Sequence, residues 1–164
     1  MSLMLVELER PEGERFWFPF TYEEAGLGFT DQWWHHGPVY PGSTSIYLRV
    51  LENNVEVARV ELDNDIEFGH YSDVPTLGAT ALEIQFIEVH VDHRGRGVGH
   101  KVIDLLYDGY LDRRLVAFSE GADGFWSSLG WRRHLHADPE EAPYFRPLFI
   151  QPQEQRTAAG EAEA

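Results

Sequence analysis

Six residues near the middle of the chain, Arg94-Gly95-Arg96-Gly97-Val98-Gly99, interleave glycine with arginine and valine. They stand where a strand-like run gives way to a helical one. Upstream, Leu82 to Val91 is rich in Ile, Val and Phe and reads as a strand ending at Asp92-His93. From Val98 the apolar period lengthens: Val98, Val102, Leu105, Leu106, Gly109 and Tyr110 share a helical face, while Asp104, Asp108 and Asp112 fall elsewhere. A helix N-terminus exposes about four unpaired N–H groups and the positive end of the macrodipole. Phosphate binds there without side-chain charge. Glycines at 95, 97 and 99 let the backbone turn sharply and approach a bulky diphosphate. Arg94 and Arg96 can add charge-assisted bonds. The loop, extended to His100, therefore predicts a ligand carrying a pyrophosphate.

Spacing separates this loop from two other phosphate motifs. A P-loop needs Gly-Lys-Ser/Thr, but Gly99 is followed by His100 and Lys101. The dinucleotide fingerprint Gly-x-Gly-x-x-Gly needs a glycine at 100 or 102, where His100 and Val102 stand.

Other elements must position this loop. Residues 3–9 read as a short strand. Ser45 to Leu51 and Val55 to Leu62 form the clearest hairpin, with Asn53-Asn54 at its turn and Glu56 and Arg59 as the polar alternates of its second strand. A polar, Gly- and Pro-containing loop runs from Asp63 to Gly78. Leu115 to Phe118 reads as a short buried strand. Ala122 to Leu129 reads as a short helix closed by Gly130. A last hairpin starts at Trp131, with Pro139 and Pro143 marking its turn. Trp33-Trp34-His35-His36-Gly37-Pro38 looks like a loop or the end of a short helix. The expectation is one domain over residues 1–151 and an Ala/Glu/Gln-rich disordered tail over 152–164.

Composition bounds the function. The 164 residues suffice for one well-buried core. A net charge of -15 repels phosphate backbones, so nucleic acid is not the expected partner, whereas cationic small molecules or basic peptides are. The absence of cysteine excludes a disulfide framework and a Cys nucleophile. The N-terminus lacks the charge and apolar length of a signal peptide, and no run approaches the roughly 18–20 apolar residues of a membrane span. A cytoplasmic location without membrane association is expected, with a homodimer left open.

The run Ile87 to Gly99 resembles the acetyl-CoA signature of the GCN5-related N-acetyltransferases (GNAT superfamily), Gln/Arg-x-x-Gly-x-Gly/Ala after a strand. Arg94, Gly97 and Gly99 match it. A second family element, Ala-x-x-Phe-Tyr-x-x-Leu-Gly-Phe, is similar to Ala122-Asp123-Gly124-Phe125-Trp126-Ser127-Ser128-Leu129-Gly130-Trp131. The two elements cover residues 82–131. The resemblance implies an α/β, GNAT-like acyl-CoA N-acyltransferase fold: a mixed, mostly antiparallel sheet flanked by helices on both faces. It implies acetyl-CoA or a related acyl-CoA, with backbone of Ile87, Glu88 and Val89 pairing with the pantetheine arm. The pyrophosphate would lie on Arg94, Gly95, Arg96, Gly97, Val98, Gly99 and His100. The rest of the cofactor would pass Ser119, Phe125 and Trp126.

The implied reaction moves an acetyl group to a primary amine of a small molecule or peptide. Such amines, with pKa values of roughly 10, must lose a proton first. By the resemblance the base candidates are Glu83 and Glu88, with His90 a third by its pKa range, and the Val89 amide would donate to the oxyanion. Departures stand beside these matches. Trp126 occupies the family's tyrosine position and Ser119 that of a frequent asparagine. Ser127, Tyr144 or water are left as possible acids. Trp33, Trp34 and His35, with His36 and Tyr40, are candidate acceptor-pocket residues, where aromatic rings would suit a cationic amine. His134 and His136 share a strand face but lack a clear third ligand, so no metal is expected. The alternative to catalysis is an inactive acyl-CoA-binding or sensing module.

Overall fold

The computed structural model describes residues 1–21, 28–35 and 37–153. Among these, seven strands form one sheet in the order β1-β2-β3-β4-β5-β7-β6. They are β1 (Leu3–Leu8), β2 (Ser45–Glu52), β3 (Val55–Asp63), β4 (Ala81–Val89), β5 (Arg114–Phe118), β6 (Arg132–His134) and β7 (Leu148–Ile150). The helices are α1 (Asp31–Trp34), α2 (Val98–Gly109) and α3 (Asp123–Ser128). The sheet is mixed: β4 and β5 run parallel, while β1/β2, β5/β7 and β6/β7 are antiparallel. A parallel step needs a long crossover, and α2 supplies it between β4 and β5.

The chain divides into two compact units, Met1–Leu62 with Phe86–Leu105, and Asp63–Gln85 with the residues from Leu106 onward. The first unit holds β1 to β3 and the end of β4. β1 lies against β2 in register from Leu3↔Glu52 to Leu8↔Tyr47. The β2–β3 turn is Asn53-Asn54, both at positive φ (50° and 65°), a conformation Asn tolerates better than most residues. The core of this unit is aromatic: Phe20, Phe29, Trp34 and Tyr47 are buried, and Trp17, Trp33 and Phe86 pack against them.

Two charged residues of β3, Arg59 and Glu61, are buried and so depart from simple alternation. Arg59 reads as a solvent-facing alternate, yet it is buried. Its guanidinium lies 4.4 Å from the Phe20 ring centroid and 4.1 Å from that of Phe29. It also pairs with Glu56 at 2.7 Å. Ring faces and a carboxylate together replace the water an arginine loses on burial.

In the second unit β4 begins beside β5, with Ala81↔Arg114, Leu82↔Leu115 and Glu83↔Val116 in register. β7 pairs with β5 on one side and β6 on the other. Gln151 extends the ladder: its N–H donates to the Leu115 carbonyl, and its side-chain oxygen accepts from the Leu115 N–H, each at 3.0 Å. The long loop after β3 is not a polar excursion. Ile66, Phe68, Tyr71, Val74 and Leu77 pack on Val116, Leu148 and Ile150. They cover a sheet face that would otherwise expose apolar surface to water. The expected tail falls, from residue 154, outside the described residues.

Candidate active site

β4 delivers the chain to the glycine loop through a tight, well-bonded corner. The His90 N–H donates to the Val57 carbonyl at 2.8 Å, and the Val91 N–H to the Gly28 carbonyl at 3.0 Å. A 3-10 turn, Val91–His93, follows, and the Asp92 N–H donates to His90 Nδ1 at 3.1 Å. The His90 ring meets Phe29 edge-on at 5.1 Å. Gly28 sits so close that a Cβ there would lie 2.1 Å from His90 Nε2. His90 is therefore a packed, half-buried corner residue.

The loop itself takes the shape its glycines allow. Gly95 and Gly97 adopt φ of 73° and 78°, the left-handed region that favours glycine. A Cβ at either would meet no heavy atom within 4 Å. The Gly97 carbonyl accepts the first intrahelical bond of α2, from the Lys101 N–H at 3.2 Å. The N–H groups of Val98 and Gly99 thus precede any intrahelical acceptor, at the positive end of a twelve-residue helix. Unpaired N–H groups at a helix start are the kind of donors an anion can use.

The two arginines have structural partners. Arg94 Nε donates to the Val89 carbonyl at 3.0 Å and so straps the loop to the end of β4. Arg96 forms a two-oxygen pair with Glu52, at 2.9 and 3.1 Å, and its other terminal nitrogen lies 2.8 Å from His93 Nδ1. His100 is exposed on the first turn of α2.

The two carboxylate candidates have different surroundings. Glu88 is only 6 % exposed and accepts the backbone N–H of Thr30, the residue capping α1. Glu83 is half-buried on the β4 ladder opposite Val116, in the second unit. Ile87 and Val89 flank Glu88 and are half-buried.

Among the acceptor-pocket candidates, Trp34 is a core ring, 5.2 Å from Phe20 and 6.2 Å from Phe86. Trp33 lies 5.6 Å from Phe86 and His35 stacks on Phe18 at 5.6 Å, both half-buried. Tyr40 is exposed and meets Phe16 edge-on at 5.3 Å. His36 lies outside the described residues.

In the second unit Ser119 is buried directly after β5. Its N–H donates to the Pro147 carbonyl at 2.8 Å, and its hydroxyl oxygen accepts from Ala122 N–H at 3.1 Å, fixing the start of α3. Phe125 and Trp126 follow on α3, with ring centroids 4.9 Å apart. Trp126 is 4 % exposed and lies 4.9 Å from Trp131, whose indole N–H donates to the Tyr107 hydroxyl at 2.7 Å. Trp126 is thus a core ring.

Sequence reading did not single out an aromatic cleft in this unit, lined in part by Phe68, Tyr71, Phe118 and Phe145. Its signal was present in the run Tyr144-Phe145, two large rings inside a turn. Burial raises the Tyr71 pKa above its ordinary 10.0, partly offset by the charge of Arg146. His134 is buried, with Nδ1 2.9 Å from the Ser72 carbonyl. Among the described residues no group of three or more His, Asp or Glu is placed to hold a metal, and no helix is long and apolar enough to cross a membrane.

Sheet order, parallel β4/β5 step and glycine loop together define the GNAT-like acyl-CoA N-acyltransferase fold. No protein-family model matches the chain, and no curated protein matches it by sequence. Solved structures do share the fold. An acetyltransferase from Thermus thermophilus matches with a TM-score of 0.51 and 15% identity over 68% of this chain, which spans 66% of that one. AtaTR bound with AcCoA matches with a TM-score of 0.61 and 11% identity, over 95% of this chain and 96% of that one. A KacTA–DNA complex matches with a TM-score of 0.61 and 12% identity, over 98% and 99%.

Proposed function

We propose that this chain is an acetyl-CoA-dependent N-acetyltransferase that acetylates a primary amine of a small molecule or peptide by direct attack on the thioester. The observation that carries the proposal is the left-handed Gly95 and Gly97 pair opening α2 at the end of β4. The AcCoA in the AtaTR structure supports the choice of cofactor. Bound acetyl-CoA would supply the activated acyl thioester. The loop from Arg94 to His100 would hold its pyrophosphate, chiefly through backbone N–H groups, because Arg96 is already paired with Glu52. Backbone of Ile87, Glu88 and Val89 would pair with the pantetheine arm, and the Val89 N–H would donate to the oxyanion. Ser119, Phe125 and Trp126 remain cofactor residues by the family resemblance alone.

Glu83 is the preferred base. Glu88 already holds Thr30 and serves better as a positioning residue. Trp33 and His35 stay as acceptor-side candidates, and Trp34 supports them from the core. The charge of -15 favours a cationic amine and argues against nucleic acid here.

A second reading, a non-catalytic acyl-CoA-binding module, is favoured by Trp126, a buried indole where the family carries its tyrosine acid. Thermal shift with acetyl-CoA, followed by CoA release over an amine panel, separates the readings. No stabilisation at millimolar acetyl-CoA overturns both. Stabilisation with turnover of at least one amine supports the enzyme, and stabilisation without turnover favours the binding module.

A further inference from the structure

The aromatic cleft of the second unit has a volume of about 350 Å³. One wall is the segment Glu67 to Tyr71. Phe118, His136 and Tyr144 to Arg146 complete the lining. The lining is pinned by main-chain bonds, Ala137 N–H to the His70 carbonyl at 2.6 Å and Ser72 N–H to the Leu135 carbonyl at 2.9 Å. The Tyr71 hydroxyl donates to the Arg146 carbonyl at 2.6 Å. The cleft is therefore preformed.

Two of its rings are exposed. Tyr144 is 83 % exposed, and among the described residues its side chain has neither a hydrogen bond nor a ring partner. Phe145 is 47 % exposed although His136 stacks on it at 4.5 Å and 22°. Two large neighbouring rings held at a cleft rim are surface that a ligand would cover.

The polar groups select the ligand. His136 Nδ1 accepts the Asp138 N–H at 3.1 Å, so the neutral ring carries its proton on Nε2 as a donor. The Arg146 guanidinium lies 5.9 Å from the Phe118 ring centroid and only 3.8 Å from the exposed Glu120 carboxylate, a loose pair that leaves donors available. His70 adds a second imidazole, and Glu67 is the one carboxylate in the lining. A cation already occupies the Phe118 face, which disfavours a second one there. We propose that this cleft binds a planar aromatic ring bearing a carboxylate, the ring against Tyr144 and Phe145 and the carboxylate toward Arg146 and His136. The proposal stands apart from the acyl-CoA reading, because binding is expected without any cofactor.

The test is calorimetric titration of the full chain, free of CoA, with naphthoate and with the cation naphthylmethylammonium. Naphthoate should bind, and the cation should bind more weakly. Tyr144→Ala and Phe145→Ala, whose side chains are exposed, should each weaken naphthoate about tenfold. Arg146→Gln should weaken naphthoate and leave the cation unchanged or tighter. Circular dichroism of each variant shows that the fold persists; should a ring variant lose it, Arg146→Gln alone decides. No heat at about 1 mM naphthoate, a preference for the cation, or full affinity in folded variants would overturn the proposal.

Discussion

The side chain of Glu88 accepts a hydrogen bond from the backbone N–H of Thr30, 58 residues earlier in the chain. This bond ties the end of β4 to the start of α1, the short helix that carries Trp33 and Trp34. A buried carboxylate held by a backbone donor acts as a strut, since removing it leaves an N–H without its acceptor.

Substitution at this strut distinguishes holding from proton transfer. Glu88→Ala should cost about 2–3 kcal/mol through the lost bond and the void. Glu88→Gln keeps an acceptor oxygen and should lose less than half of that. If Glu88 only positions Thr30, Glu88→Gln retains most of kcat, whereas Glu83→Gln lowers kcat. Urea denaturation and amine-acetylation kinetics on the two variants provide the check. A collapse of kcat in Glu88→Gln at intact stability would make Glu88 the base instead.

Gly97 is the loop position with most to lose. At φ 78° any side chain is strained, and Asp would add negative charge in front of the α2 amides. Gly97→Ala should destabilise the fold by about 1 kcal/mol. Gly97→Asp should abolish the thermal shift with acetyl-CoA, which for the unaltered chain corresponds to about 2.7 kcal/mol at a hundred times Kd. An unchanged shift in Gly97→Asp would place the cofactor elsewhere.

The contact between Gly28 and His90 is a steric coupling that a double-mutant cycle can measure. A Cβ on Gly28 would stand 2.1 Å from His90 Nε2, and φ there is 88°. Gly28→Ala should cost about 2–3 kcal/mol, part strain and part overpacking. In a His90→Ala background the overpacking part disappears, so the two changes should combine to less than their sum. Strict additivity by chemical denaturation would mean that the ring moves aside freely.

Tyr71 gives a dependence on alkaline pH. Burial raises its pKa above 10.0, so the folded chain holds the phenolic proton more tightly than the unfolded chain. The resulting stability is fully present below pH ~10 and is lost as pH rises through the folded value. Urea midpoints across this range should fall more steeply for the unaltered chain than for Tyr71→Phe. Phe should also lower the midpoint at neutral pH, because the bond to the Arg146 carbonyl is gone. Parallel curves would exclude Tyr71 as the source.

Much of the framework is legible in local pattern. Asn53-Asn54 marks its turn because both residues accept positive φ, and the observed strands flank it. The switch from strand to helical period at Val98 marks the start of α2, with Val98, Val102 and Leu106 buried as expected. Gly109, placed on the same face by period, is exposed, because the helix ends there. The stretch from Asp63 to Gly78 reads as polar, but its apolar residues are spaced irregularly, and irregular spacing does not announce a surface to cover.

The sequence by itself determined that a glycine-rich turn joins a strand to an amphipathic helix, and it is this local geometry on which the proposed anion site rests. Backbone conformation and period are local properties, written within a few residues of each other. Only the tertiary structure decided which groups are already engaged: Glu88 by Thr30, Arg96 by Glu52, Arg59 by Phe20 and Phe29, and Trp126 by Trp131. Residue type gives a side chain's chemistry. Most of its partners come from chain segments distant in sequence, and they determine whether that chemistry holds the fold or is offered to a ligand.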